Sequence, residues 1–128
     1  MKTASILLAV VAVLAFAAMA ADKPAKSTKL LHVVAFKFKA TANPAQIQQV
    51  VEEFRALKKK ISEVKDLSWG TNNSPEKLDK GFTHSWLLTF HSEKDRDIYL
   101  KHPEHEAFVK IVQPVVEDVF VIDYWAKD

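Results

Sequence analysis

The segment Tyr99-Leu100-Lys101-His102-Pro103-Glu104-His105-Glu106-Ala107-Phe108 places two of the chain's five histidines on either side of a proline and next to a tyrosine. Histidine is the side chain whose ordinary titration falls near neutrality, so a cluster of His and Tyr is where proton transfer is chemically available. His32 and His84 are further candidates. His32 shares the parity of Val34 and Phe36, and His84 that of Trp86 and Leu88, so each points to the same side of its strand as large apolar neighbours.

Every one of these residues also has a structural reading. His32 and His84 fit core positions where a buried imidazole bonds backbone or water. Because the strands that carry them run antiparallel, the two rings need not share one site. His102 directly precedes Pro103 and suits a helix terminus, where an imidazolium meets exposed carbonyls. Tyr99 can pack its ring, Phe108 belongs to the core, and His91 ends its strand at a loop and is expected in solvent. His102 and His105 stand three apart, a spacing that can put two metal ligands on one helical face. Pro103 breaks that face, and neither a cysteine nor an acidic third ligand completes a zinc pattern, so no metal or cofactor is expected.

The elements that must position these side chains follow from periodicity. Leu30 to Phe38 is short, β-branched or aromatic, and apolar on both parities, which predicts a strand covered on both faces. Asn43-Pro44 supplies an N-cap and a proline at the first helical position. Ile47, Val50, Val51, Phe54, Leu57 and Ile61 then recur at spacings of three and four, so one helical face is buried. Val64 to Asn72 and Phe82 to Phe90 read as two strands of a long hairpin around a polar loop that holds Asn72-Asn73-Ser74-Pro75 and Gly81. Ser92 opens a second helical region that Pro103 must interrupt, because proline lacks the amide donor and clashes with the preceding turn. Two helical pieces are therefore expected to meet at His102. Asp118 to Trp125 closes the chain as a strand.

The order β-α-β-β-α-β is that of a ferredoxin-like α+β subunit with an antiparallel four-stranded sheet. In that fold helices cover one sheet face only. Val33, Ala35, Leu87, Phe120, Ile122 and Tyr124 make the opposite face apolar as well, and a second copy of the chain is the simplest cover. Two such sheets face to face form a dimeric α+β barrel, so a homodimer is expected.

Outside the domain, Lys2 and the apolar run from Ile6 to Ala18, ending in Ala18-Met19-Ala20, carry the signature of a secretory signal peptide over residues 1–20. The apolar run is shorter than the roughly 20 residues that span a bilayer, so cleavage is expected rather than anchoring. A lipoprotein is excluded because the chain has no cysteine to carry the lipid. Residues 21–29 read as a flexible tether, and residues 30–126 as the one domain that this length supports. The formal charge of +2 falls to +1 once Lys2 is removed. Near-neutrality argues against a nucleic-acid partner, and Lys58-Lys59-Lys60 reads as a solvated helix end. Exported, periplasmic or secreted, and with no membrane contact after cleavage, the protein must draw its stability from its core and its partner subunit rather than from disulfides.

Residues 30 to 125 resemble the stress-responsive A/B barrel (Dabb) family. The resemblance runs through His32-Val33-Val34-Ala35-Phe36-Lys37-Phe38, Gly81-Phe82-Thr83-His84, Tyr99 to His105, Phe108 and Ile122-Asp123-Tyr124. It implies a ferredoxin-like subunit in a dimeric barrel. Similarity to a plant polyketide cyclase of the family, which works by cofactor-free aldol condensation, further implies His105 as general base and Tyr99 as the donor to a carbonyl oxygen. It also implies His32 and His84 as pocket histidines that bind substrate, and Asp123 as the carboxylate that orients the base. Proton abstraction next to a carbonyl needs a base titrating near neutrality, and the enolate needs a donor such as a phenol. The expectation is a pocket for a small apolar molecule bearing a carbonyl or hydroxyl group, with acid/base chemistry open to it. The competing expectation is a non-enzymatic stress-response or assembly protein whose histidines are structural.

Overall fold

The computed structural model describes residues 27–128, so the expected signal peptide and residues 21–26 of the tether lie outside the described residues. Ser27 to Lys29 carry no regular structure, and the Lys29 carbonyl accepts from the Ala126 amide at 2.9 Å. Seven elements follow: strand β1 (Leu30–Phe38), helix α1 (Pro44–Lys60), strands β2 (Asp66–Thr71) and β3 (His84–Phe90), helices α2 (Glu93–Lys101) and α3 (Pro103–Val112), and strand β4 (Val116–Trp125). The four strands form one antiparallel sheet in the order β2-β3-β1-β4. No helix among the described residues is long and apolar enough to cross a membrane.

Local chemistry sets the boundaries. Asn43 Oδ1 accepts from the Gln46 amide at 2.8 Å while Gln46 Oε1 accepts from the Asn43 amide at 2.9 Å. This reciprocal capping box starts α1 at Pro44. Ser92 Oγ caps α2 through the Asp95 amide at 3.0 Å. Proline at position 103 ends α2 and opens α3. The strands β2 and β3 are shorter than the sequence predicts. Val64 is drawn into the core, and Thr83 and Asn72 join through one backbone bond of 2.8 Å without extending the ladder. Gly81, at φ +86°, turns the hairpin loop back under the Lys37 stem, where a Cβ would come within 2.8 Å of Lys37 Cε.

Strand alternation divides the molecule into two faces. Leu30, His32, Val34 and Phe36 on β1, with Trp86, Leu88 and Phe90 on β3, lie buried beneath the helices. Val50, Val51, Phe54 and Leu57 of α1, with Phe108 and Val112 of α3, close this core. Phe54 stacks on Trp86 with centroids 4.6 Å apart and planes 11° apart. An aromatic pair of that kind adds about 1 kcal/mol beyond its area burial. On the other face no helix covers Phe120, Ile122 and Tyr124, which remain 50%, 49% and 47% exposed. This is the open apolar face that the strand parities predict.

Candidate functional site

Four of the five expected site residues come together between the sheet and the α2–α3 joint. His32, Tyr99, His105 and Asp123 line one cavity of about 610 Å³, with Val34, Phe36, Phe54, Phe108, Val119 and Val121 among its apolar walls. The elements explain the convergence. His32 on β1 lies directly across from Asp123 on β4, so both side chains leave the same face of the sheet. Tyr99 sits in the last turn of α2, and His105 in the first turn of α3, beyond the break at Pro103.

Tyr99 is 1% exposed, and its ring packs against Phe90 at 5.1 Å, His32 at 5.9 Å and His105 at 4.6 Å between centroids. Burial pushes the phenol far above its ordinary titration, so it stays protonated at any physiological pH. It is therefore a hydrogen-bond donor and not a base.

His105 is half-buried, with Nδ1 3.1 Å from the Leu100 carbonyl oxygen. A carbonyl only accepts, which assigns the proton to Nδ1 and leaves the lone pair of the neutral ring on Nε2. Burial pulls its titration below the ordinary value. The Leu100 bond and Glu106 work against that pull, while nearby His32 and His102 work with it. The ring is thus held in the neutral, basic form that proton abstraction requires.

The carboxylate expected to orient His105 is engaged elsewhere. Asp123 Oδ1 accepts from His32 Nδ1 at 2.6 Å, and Asp123 Oδ2 accepts from Arg96 Nη1 at 3.3 Å. Both oxygens are occupied, and the Leu100 carbonyl takes the orienting part at His105. Asp123 consequently organises His32, a 4% exposed imidazole that is itself a carboxylate-held acid/base group. No motif in the sequence marks Arg96, although its place three residues before Tyr99 on one helix puts both on a common face.

His84 does not join this cavity. It pairs with Phe36, four residues along β1 from His32, a separation of roughly 13 Å. Strand parity gives the face of a side chain but not its height, and the two histidines share only the face. His84 borders a second cavity of about 460 Å³ with Trp69, Asn72, Asp79 and Thr83. Its ring lies near-parallel to both Trp69 and Trp86, with the three centroids about equally spaced, and burial lowers its titration. His102 caps α3, its Nδ1 accepting from the Glu104 amide at 3.1 Å. It is structural, as expected, but as an acceptor at a helix start and not as an imidazolium at a helix end. His91 is exposed.

A four-stranded antiparallel sheet in this order, helices on one face and an open apolar face on the other, defines a ferredoxin-like α+β subunit of the kind that pairs into barrels. The model of the stress responsive A/B barrel domain (Dabb) matches residues 30–126, and the chain belongs to that family. By sequence it is 33% identical over 93 residues to the stress-response A/B barrel domain-containing protein HS1 of Arabidopsis thaliana, covering 73% of this chain and 85% of that one. It is 28% identical over 93 residues to olivetolic acid cyclase of Cannabis sativa, covering 73% and 92%. Among solved structures, the hydroxynitrile lyase of Passiflora edulis superposes with a TM-score of 0.75 at 29% identity, covering 80% of this chain and 96% of that one. A dimeric ferredoxin-like protein of Bacteroides fragilis superposes with a TM-score of 0.64 at 26% identity, covering 79% and 99%.

Proposed function

We propose that this chain is an exported, homodimeric Dabb protein whose cavity binds a small apolar molecule bearing a carbonyl or hydroxyl group and performs cofactor-free acid/base chemistry on it. One observation carries the reading: a cavity of about 610 Å³ in which two imidazoles and a protonated phenol converge among apolar walls. His105 Nε2 takes the proton from a carbon next to the carbonyl, the C–H electron pair moves into the enolate, and Tyr99 donates a hydrogen bond to the enolate oxygen. The carbanion then attacks a second carbonyl of the same molecule, whose oxygen takes the proton back from the His105 imidazolium as the new C–C bond forms, or it recovers that proton itself. His32, held by Asp123, is the second proton-transfer group. That two relatives are a cyclase and a hydroxynitrile lyase by name supports placing an enzyme site in this fold. The apolar outer face around Phe120, Ile122 and Tyr124, and the dimeric relative, support the homodimer.

A thermal-shift screen of residues 21–128 against phenols, quinones and β-keto compounds, with His105→Ala beside the parent, tests this reading. A ligand that binds the native state raises its stability by mass action. A shift in the parent that is lost in the variant is the expected result. No shift with any compound would favour a non-enzymatic stress-response role with structural histidines.

A further inference from the structure

The α2–α3 joint and β4 share one more contact, which the chemistry above does not use. Arg96 lies in α2, and its guanidinium is fixed from two sides. Nε and Nη2 both donate to Asp97 Oδ1 at 3.1 Å, and Nη1 reaches Asp123 Oδ2 at 3.3 Å. The Arg96 and Asp123 side chains are only 21% and 23% exposed, so the pair is partly shielded from water. The outer edge of the fork meets Asp97, whose side chain is 56% exposed, and Nη1 is the donor that reaches Asp123. The opposite oxygen, Oδ1, is the one that receives His32 Nδ1–H at 2.6 Å.

We propose that Arg96 is a positioning residue for this site. By holding Oδ2 it aims the Asp123 carboxylate at His32 Nδ1, and by its charge it offsets part of the pull that the carboxylate exerts on a second proton at His32 Nε2. The proposal rests on the acid/base reading of the cavity. An unopposed carboxylate 2.6 Å from an imidazole favours the imidazolium, in which Nε2 has no lone pair to offer. A guanidinium on the far oxygen reverses part of that preference. The other groups facing His32 are Tyr99 from α2 and His105 from α3. Tyr99 stays neutral, and a proton on His105 would add to the effect of Arg96 instead of replacing it. Arg96 is absent from the cavity lining, so it acts through Asp123 and not on a ligand.

The test reads the free protein and needs no ligand. The ring signals of His32 are followed by NMR through a pH titration in the parent, Arg96→Gln and Arg96→Lys. In Arg96→Gln the His32 ring is expected to take up its second proton at a pH higher by about half a unit, or about threefold more imidazolium at a given pH in that range. Arg96→Lys keeps a cation beside Asp123 and is expected to return most of the way to the parent. A His32 titration unchanged in Arg96→Gln overturns the proposal, and so does an equal displacement in both variants, which would mean that shape and not charge matters. If Arg96→Gln fails to fold, the Arg96→Lys titration decides alone, since a displacement as large as half a unit there removes the role of the charge. Because the readout is independent of ligand, a cavity that binds nothing in the thermal-shift screen would refute the function while leaving the Arg96 result to stand or fall by itself.

Discussion

Replacing Tyr99 by Phe removes one oxygen from the middle of the site and nothing else. The ring is retained, and with it the packing against Phe90, His32 and His105. The fold should therefore change in stability by no more than about 1 kcal/mol, the typical net worth of one hydrogen bond. One further signature is specific to the phenol. Tyr99 titrates well above its ordinary value of 10.0 in the fold, so above that pH the unfolded chain loses its proton first, and the parent loses stability as pH rises. The Phe variant should lack this alkaline loss. For a bound ketone the missing donor costs about 0.5–1.5 kcal/mol, or about 2- to 12-fold in Kd. If the phenol meets an enolate, the loss in rate is larger, about 10²- to 10³-fold, because a donor aimed at developing charge acts mainly in the transition state. Exchange of the methyl protons of 4-hydroxyacetophenone for deuterium in heavy water, followed by NMR, measures proton abstraction directly and requires no knowledge of the natural substrate. A Tyr99→Phe protein that binds and exchanges this ketone as the parent does would reduce Tyr99 to a packing residue and refute the reasoning.

Three other substitutions examine separate links. His105→Gln should abolish the exchange while the protein keeps its oligomeric state. Because the folded ring titrates below the ordinary 6.5, the unfolded chain binds the extra proton first as pH falls. Parent stability should thus rise with pH from the folded value up to about 6.5, and chemical denaturation across that window should show a shallower slope in the variant. Phe108→Ala should destabilise the fold by about 3 kcal/mol, the lower end for a buried aromatic, because Phe108 borders a cavity that can relax into the space; a loss below about 1 kcal/mol in urea would mean that the ring is not part of the core. Ile122→Arg puts a charge on the open sheet face and should convert the proposed dimer to monomer, as read by sedimentation, and an unchanged dimeric mass would move the interface elsewhere.

What was legible in the sequence was whatever depends on short-range pattern. Asn43-Pro44 sets the start of α1 through its cap, and Pro103 must break the second helical region, so the sequence alone puts Tyr99 and His105 on the two sides of one joint. The burial parity of β1 placed His32 with Val34 and Phe36. What was not legible depends on register between distant strands. His32 and Asp123 are 91 residues apart, and their pairing is fixed by the β1–β4 ladder with its irregularity at Lys37 and Phe38. No local pattern distinguishes Asp123 bonded to His32 from Asp123 bonded to His105. The same limit separated His84 from the cavity. The carbonyl that orients His105 carries no side-chain signature at all, since it belongs to the backbone of Leu100, freed by the end of α2.

Strand β4 gives the proposed site and the proposed dimer a shared structural basis. Successive side chains of a strand leave opposite faces, so Asp123 is bracketed by Ile122 and Tyr124, which point to the open face at 49% and 47% exposure. As the sheet's edge strand, β4 is hydrogen-bonded only to β1, and Val119 and Val121, which wall the cavity, remain 47% and 52% exposed. An edge strand held from one side is the part of the sheet with most freedom to shift. In the proposed dimer a second subunit seated on Phe120, Ile122 and Tyr124 would restrain that strand, and with it the carboxylate between them. The short bond to His32 and the contact with Arg96 would then act on a fixed Asp123. Association and site geometry are in this way two consequences of one strand, and an isolated subunit would keep the residues of the site while losing the rigidity of the wall that aims them.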